Sequence, residues 1–134
     1  MSRKNKVILI IVALVVVLAA GIAAVITIAE RNMIAARDAE IVEADLSKVP
    51  DGTYDGEYNA FPVIAEVRVT VKDHAITGID LVKHINGQGY GAEVIPQRVV
   101  EAQSLQVDTV SGATYSSKVI LLAIRNALDS AAGE

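Results

Sequence analysis

Val63-Ile64-Ala65-Glu66-Val67-Arg68-Val69-Thr70-Val71 is the stretch that decides the fold. Val63, Ala65, Val67, Val69 and Val71 fall on one side of a period-two repeat, and Ile64, Glu66, Arg68 and Thr70 fall on the other. Period two with β-branched residues is the pattern of a strand with one buried face. Downstream, Lys72-Asp73-His74-Ala75 reads as a turn. Ile76–Lys83 then alternates again through Ile76, Ile79, Leu81 and Val82, with a slip of register near Gly78. Upstream, Thr53–Ala60 places Tyr54 and Tyr58 around Asp55-Gly56 and reads as a further strand. The set predicts a meander of two or three antiparallel strands.

Beyond the strands, Asn86-Gly87-Gln88-Gly89-Tyr90-Gly91 is a glycine-rich loop. A helix is predicted from about Ala92 to Gln103, with Val94, Ile95, Val99 and Val100 as its apolar stripe and Pro96 in its first turn. Ser104–Val110 reads as extended or loop. Ser116 or Ser117 can cap a last helix that runs to about Ser130, with Val119, Ile120, Leu122, Ala123, Ile124, Ala127 and Leu128 at helical spacing. The fold class predicted for this part is α+β, a small antiparallel sheet covered by two helices.

The other end of the chain is different in kind. Val7–Ala29 holds 23 residues without a charge, nearly all Val, Ile, Leu, Ala or Gly. A bilayer core needs about 20 apolar residues in helix, and backbone groups in lipid must be satisfied within the segment. The run reads as a transmembrane helix. The rival is a cleaved signal peptide, whose apolar region spans roughly 7–15 residues; the small residues near Ala20–Ala24 would suit such a cut. Arg3, Lys4 and Lys6 precede the run, and a basic cluster tends to stay cytoplasmic. The expected order is a basic cytoplasmic tail at 1–6, a transmembrane helix at 7–29, a helical spacer at 30–50 and an extracytoplasmic domain at 51–134. The spacer helix is expected to continue from Glu30 to Lys48, and Val49-Pro50-Asp51-Gly52 is the breaker cluster at the boundary.

Charge and cysteine usage narrow the function. From Glu30 onward there are 16 acidic and 9 basic residues, a net of −7. That balance argues against a nucleic-acid partner, which calls for a basic face. With no cysteine there is no disulfide, thiol redox chemistry, c-type haem or Cys-ligated iron–sulfur centre. His74 and His84 are too few for a metal site. No Ser/His/Asp set or paired carboxylate stands out, so no catalytic residue is assigned.

One segment carries chemistry: Asp108-Thr109-Val110-Ser111-Gly112-Ala113-Thr114-Tyr115-Ser116-Ser117. Hydroxyl groups crowd a loop entering a helix, where free N–H groups and the positive end of the dipole suit a phosphate. Gly112 permits a tight turn or a close approach. On spacing alone, an ordinary capped helix start explains the same residues.

Asp108-x-x-Ser111-Gly112-Ala113-Thr114 resembles the flavinylation motif of the FMN-binding domain family. The likeness runs from about Asp51 to Leu128, with Asp51-Gly52-Thr53-Tyr54-Asp55-Gly56 like the family's opening strand. That family includes the covalent-flavin subunits of ion-pumping NADH:quinone and ferredoxin:NAD oxidoreductases, and small anchored domains of extracytoplasmic electron transfer. The resemblance implies FMN joined to Thr114 by a phosphoester. It also implies a flavin transferase using FAD and Mg²⁺ that recognises Asp108, Ser111, Gly112 and Ala113. Ser116 falls beside this motif as a further cofactor contact. The second contact region would be Asn86–Gly91, where only Gly89 and Gly91 of the family's Glu-Thr-Pro-Gly-x-Gly stretch are kept. Tyr90 and His84 would line the isoalloxazine, or else be a partly buried core tyrosine and a surface histidine at a strand end.

The function implied is an electron carrier on the cell membrane, between a membrane donor and an extracytoplasmic acceptor, with a spacer that lets the domain move. A non-covalent FMN binder or docking subunit of a larger redox complex is the alternative, and a reductase with its own substrate ranks last.

Overall fold

The computed structural model describes residues 1–85 and 90–133, with the backbone alone for Tyr90. Six elements follow in order: α1 (Arg3–Asp38), β1 (Gly52–Ala60), β2 (Val63–Lys72), β3 (Ala75–Ile85), α2 (Ile95–Ala102) and α3 (Thr114–Ala131). Short 3-10 turns stand at Leu46–Lys48 and Tyr90–Val94.

The three strands form one antiparallel sheet in the order β1-β2-β3. The alternation in β2 is realised residue by residue: Val63, Ala65, Val67, Val69 and Val71 are buried, while Arg68 is exposed and Ile64, Glu66 and Thr70 are part-exposed. The slip expected near Gly78 is a real irregularity. Thr70 pairs with Gly78 and Val71 with Ile76, so the ladder passes over Thr77. A bulge of this kind keeps the apolar residues on either side of it on the buried face.

The helices α2 and α3 cover one face. α3 lies on β1 and β2, and α2 lies on β3. Ile120, Ile124 and Leu128 of α3 meet Val67, Val69 and Val71 in the core. Gly56 makes the closest approach possible: a Cβ there would fall 2.2 Å from the Ala123 carbonyl oxygen and 2.5 Å from the Ala127 nitrogen. Only glycine on the strand, facing alanine on the helix, lets the backbones come this near. Gln103 ends α2 in the left-handed region (φ 51°) and ties it to the sheet. Its side chain accepts from the Ile76 N–H and donates to the Ile76 carbonyl, both at 2.7 Å.

Two expectations change. The helix that leaves the apolar run ends at Asp38, not Lys48. No glycine or proline stops it there. The following residues are instead drawn onto the domain: Ile41 and Val49 are buried in the core, and Ala36 with them. Lys118 Nζ donates to the Ala39 carbonyl at 3.0 Å, Gln106 Nε2 to that of Ile41, and Arg125 Nη1 to that of Val42. The expected spacer is therefore a strap bound along α3. The second change is at the other end: α3 begins at Thr114, before the serines expected to cap it.

Candidate functional site

The segment Asp108–Ser117 is built as a turn and a helix start. Ala113 N–H donates to the Val110 carbonyl at 2.9 Å, closing a four-residue turn. Its third residue, Gly112, has φ 80°. That sign of φ at the third position favours glycine, and nothing else does, since a Cβ on Gly112 would meet open space. The turn delivers the chain into α3 with Ala113 at the N-cap position and Thr114 as the first helical residue.

Thr114 is exposed, and so are Asp108, Ser111 and Gly112. Ala113 is buried beneath them. No side chain caps α3 among the described residues, and its first turn holds no acidic group. The opening N–H groups of a helix lack intrahelical acceptors, and the dipole is positive there. The Thr114 hydroxyl thus stands where a phosphate it carried would meet N–H donors and no opposing carboxylate from its own first turn.

Ser116 and Ser117 are not caps, because both lie inside α3 and are buried. Ser117 has a different job. Its Oγ accepts from the Val110 N–H at 3.1 Å and donates to the Ala113 carbonyl at 2.7 Å. One buried hydroxyl therefore holds both ends of the turn that presents Thr114. From the other side, Arg98 of α2 donates to the Asp108 carbonyl at 2.9 Å. Neither role is visible in sequence, since each depends on a partner brought near by the fold.

Only the end of the second predicted contact region falls among the described residues. Gly89 lies outside the described residues, as do Asn86–Gln88. Gly91 is exposed and stands against the Thr114 segment, for a Cβ on it would come 3.2 Å from Val110 Cγ1. The structure therefore brings the end of the glycine-rich loop beside the turn. His84 is opposite Ala65 in the ladder, which places it on the helix-covered face. Its side chain is 2% exposed, with Nδ1 3.5 Å from Glu93 Oε1, so it is a packed residue and not a surface one. Tyr115, next to Thr114, donates its hydroxyl to the Ala60 carbonyl at the end of β1. Burial, with Tyr58 nearby, pushes the Tyr115 phenol above its ordinary pKa.

A shallow cleft lined by Asp55, Glu57, Glu66 and Arg68 lies on the uncovered face of the sheet, the side away from α3. Its lining is charged, and it is separated by the sheet from Thr114.

Residues 64–129 match the family profile of the FMN-binding domain. The NADH:acrylate oxidoreductase of Vibrio harveyi is 36% identical over 96 residues, covering 66% of this chain and 10% of that protein. The chain spans about a tenth of the length of that relative.

Proposed function

The chain carries an FMN-binding domain, with FMN as its cofactor, and from that premise we propose that it is a membrane-anchored, extracytoplasmic electron carrier holding FMN on Thr114. The observation that carries the reading is the placement of Thr114: exposed, first in an uncapped helix, and presented by a turn that Gly112 and Ser117 define. The oxidoreductase among its relatives supports a redox role.

Attachment follows the chemistry of the hydroxyl. A flavin transferase using FAD and Mg²⁺ would join Thr114 Oγ1 to the FMN phosphorus as the pyrophosphate bond breaks, releasing AMP and the hydroxyl proton. Asp108, Ser111, Gly112 and Ala113 form the stretch such an enzyme would read. Once bound, the flavin supplies one- and two-electron transfer, while the protein supplies attachment, orientation and electrostatics. The chain's own residues do the rest. The start of α3 would hold the phosphate, with Ser117 and Arg98 fixing the turn and Gly91 leaving room beside it. Ser116, offered by the sequence as a cofactor contact, is buried within α3. By their place in the sequence, Gly89 and Tyr90 would extend the contact that Gly91 begins. A covalent bond removes the need for an enclosed pocket and prevents loss of cofactor outside the cell.

α1 is long and apolar enough to cross a membrane, and the large apolar side chains between Val7 and Ile28 are bare in the structure. With Arg3, Lys4 and Lys6 ahead of it, the proposed orientation is N-terminus in the cytoplasm and domain outside. Donor and acceptor are a membrane redox partner and an extracytoplasmic one. The experiment is a substitution series in the native host. Thr114→Val is expected to remove all flavin that survives denaturation, while Thr114→Ser keeps the hydroxyl and retains some. Full denaturation-resistant flavin in Thr114→Val would overturn the assignment.

A further inference from the structure

We propose that the tip of the β1–β2 hairpin, with Phe61 at its apex, seats in the headgroup layer of the same bilayer that α1 crosses. This rests on the anchor reading given above. Val7–Ala29 covers about 34 Å at 1.5 Å per residue, close to the hydrocarbon thickness of roughly 30 Å. The headgroup region adds about 6 Å on each side. Asn32 stands three residues past Ala29, about 4.5 Å farther along the axis, and so inside that layer. Asn32 Nδ2 donates to the Phe61 carbonyl at 3.0 Å, which brings the hairpin tip to the same level.

The rest of the domain rises away from this point. Tyr115, at the start of α3, shares a groove with Glu30, Met33, Ile34 and Arg37. Lys118 reaches Ala39 and Arg125 reaches Val42. Leu128 and Ala132 share a cleft with Val49. Position along α3 therefore tracks position along the strap, with the Thr114 end lowest. The β2–β3 turn is at the far pole, where His74 Nδ1 lies 3.1 Å from the Leu46 carbonyl oxygen. At the low pole, apolar side chains face out: Phe61 is 46% exposed, Ile34 55% and Met33 44%. Ile85, paired with Ile64 at the same end of the sheet, is 46% exposed. An apolar patch continuous with a bilayer-spanning helix fits a lipid surface.

The test exploits the absence of tryptophan from the chain. Single variants Phe61→Trp, Ile34→Trp, Lys72→Trp and Leu14→Trp of the full chain are placed in phosphatidylcholine vesicles containing lipids brominated at known depths. Leu14→Trp, within the span, reports the anchor itself and should be quenched by deep bromines. Phe61→Trp and Ile34→Trp should be blue-shifted and quenched most by shallow bromines. Lys72→Trp, at the far pole, should answer only to aqueous iodide. Quenching of Leu14→Trp with no lipid quenching of Phe61→Trp and Ile34→Trp would overturn the seating alone. Loss of quenching at Leu14 would sink the anchor reading and the seating with it. A Phe61→Trp shielded from both iodide and lipid would mean a protein covers the tip, which also contradicts the proposal.

Discussion

Among single residues, the site depends on a few groups whose partners decide their meaning. Ser117 is buried and bonded at both ends of the turn before Thr114. Ser117→Ala leaves the Val110 N–H without that acceptor, and an unsatisfied buried donor costs roughly 1–3 kcal/mol. The expected result is a loss of stability of about 1–2 kcal/mol in denaturant unfolding, with slower flavin incorporation than in wild type. Unchanged stability and incorporation would show that Ser117 does not hold the turn. Thr114 and Gly112 are legible in the sequence because the motif surrounding them is local. Ser117 is legible only as a helix cap, since its true partner, the Val110 N–H, is supplied by the curvature of the turn. His84 shows the same limit: its strand placement can be read, but its burial comes from the register with Ala65 and from Glu93.

Among the elements, periodicity is the reliable guide. β2 alternates without exception, and the irregularity near Gly78 leaves its mark in the hydrophobic pattern of the sequence itself. The pitch of α3 is equally plain, and α2 begins with Pro96 in its first turn as its sequence requires. The end of α1 is not legible. Residues 39–48 are rich in helix formers, and the chain leaves the helix because tertiary bonds to α3 and the burial of Ile41 outweigh propensity. The meeting of β1 and α3 gives the sharpest prediction about packing. Gly56→Val forces a side chain into the Ala123 and Ala127 backbone, and overpacking of this kind costs about 3 kcal/mol. Unfolding of the variant should show that loss, while Gly112→Ala, which meets no atoms, should cost about 1 kcal/mol from its positive φ. Equal effects at the two positions would contradict the packing described.

Across the whole molecule, the strap decides how the domain sits. A mobile tether would let the domain roam; the bonded strap holds it against α1 instead. Glu43 is one of the clasps. Burial opposes its ionisation, but the Leu105 N–H at 2.9 Å, the Ser104 hydroxyl, the Ala44 N–H and the Arg125 charge prevail, holding its carboxyl below the ordinary range. A lowered carboxylate pKa means stability that is present above the unfolded value, near 4.5, and lost as pH falls through the folded one. Glu43→Gln should therefore melt below wild type at pH 7 by an amount worth about 1 kcal/mol, discounted for exposure. The gap should narrow as pH falls below 4.5 and through the lower folded value. A gap that does not narrow as acid protonates the carboxylate would mean its charge is not what fastens the strap.

Everything proposed for the site turns on Thr114 carrying the flavin, and intact mass of the denatured chain from its native host decides that. The expected spectrum shows a gain equal to FMN less one water, retained through denaturation and mapping to the peptide that contains Thr114. A chain at its unmodified mass, isolated with flavin that washes away on denaturation, would refute the attachment.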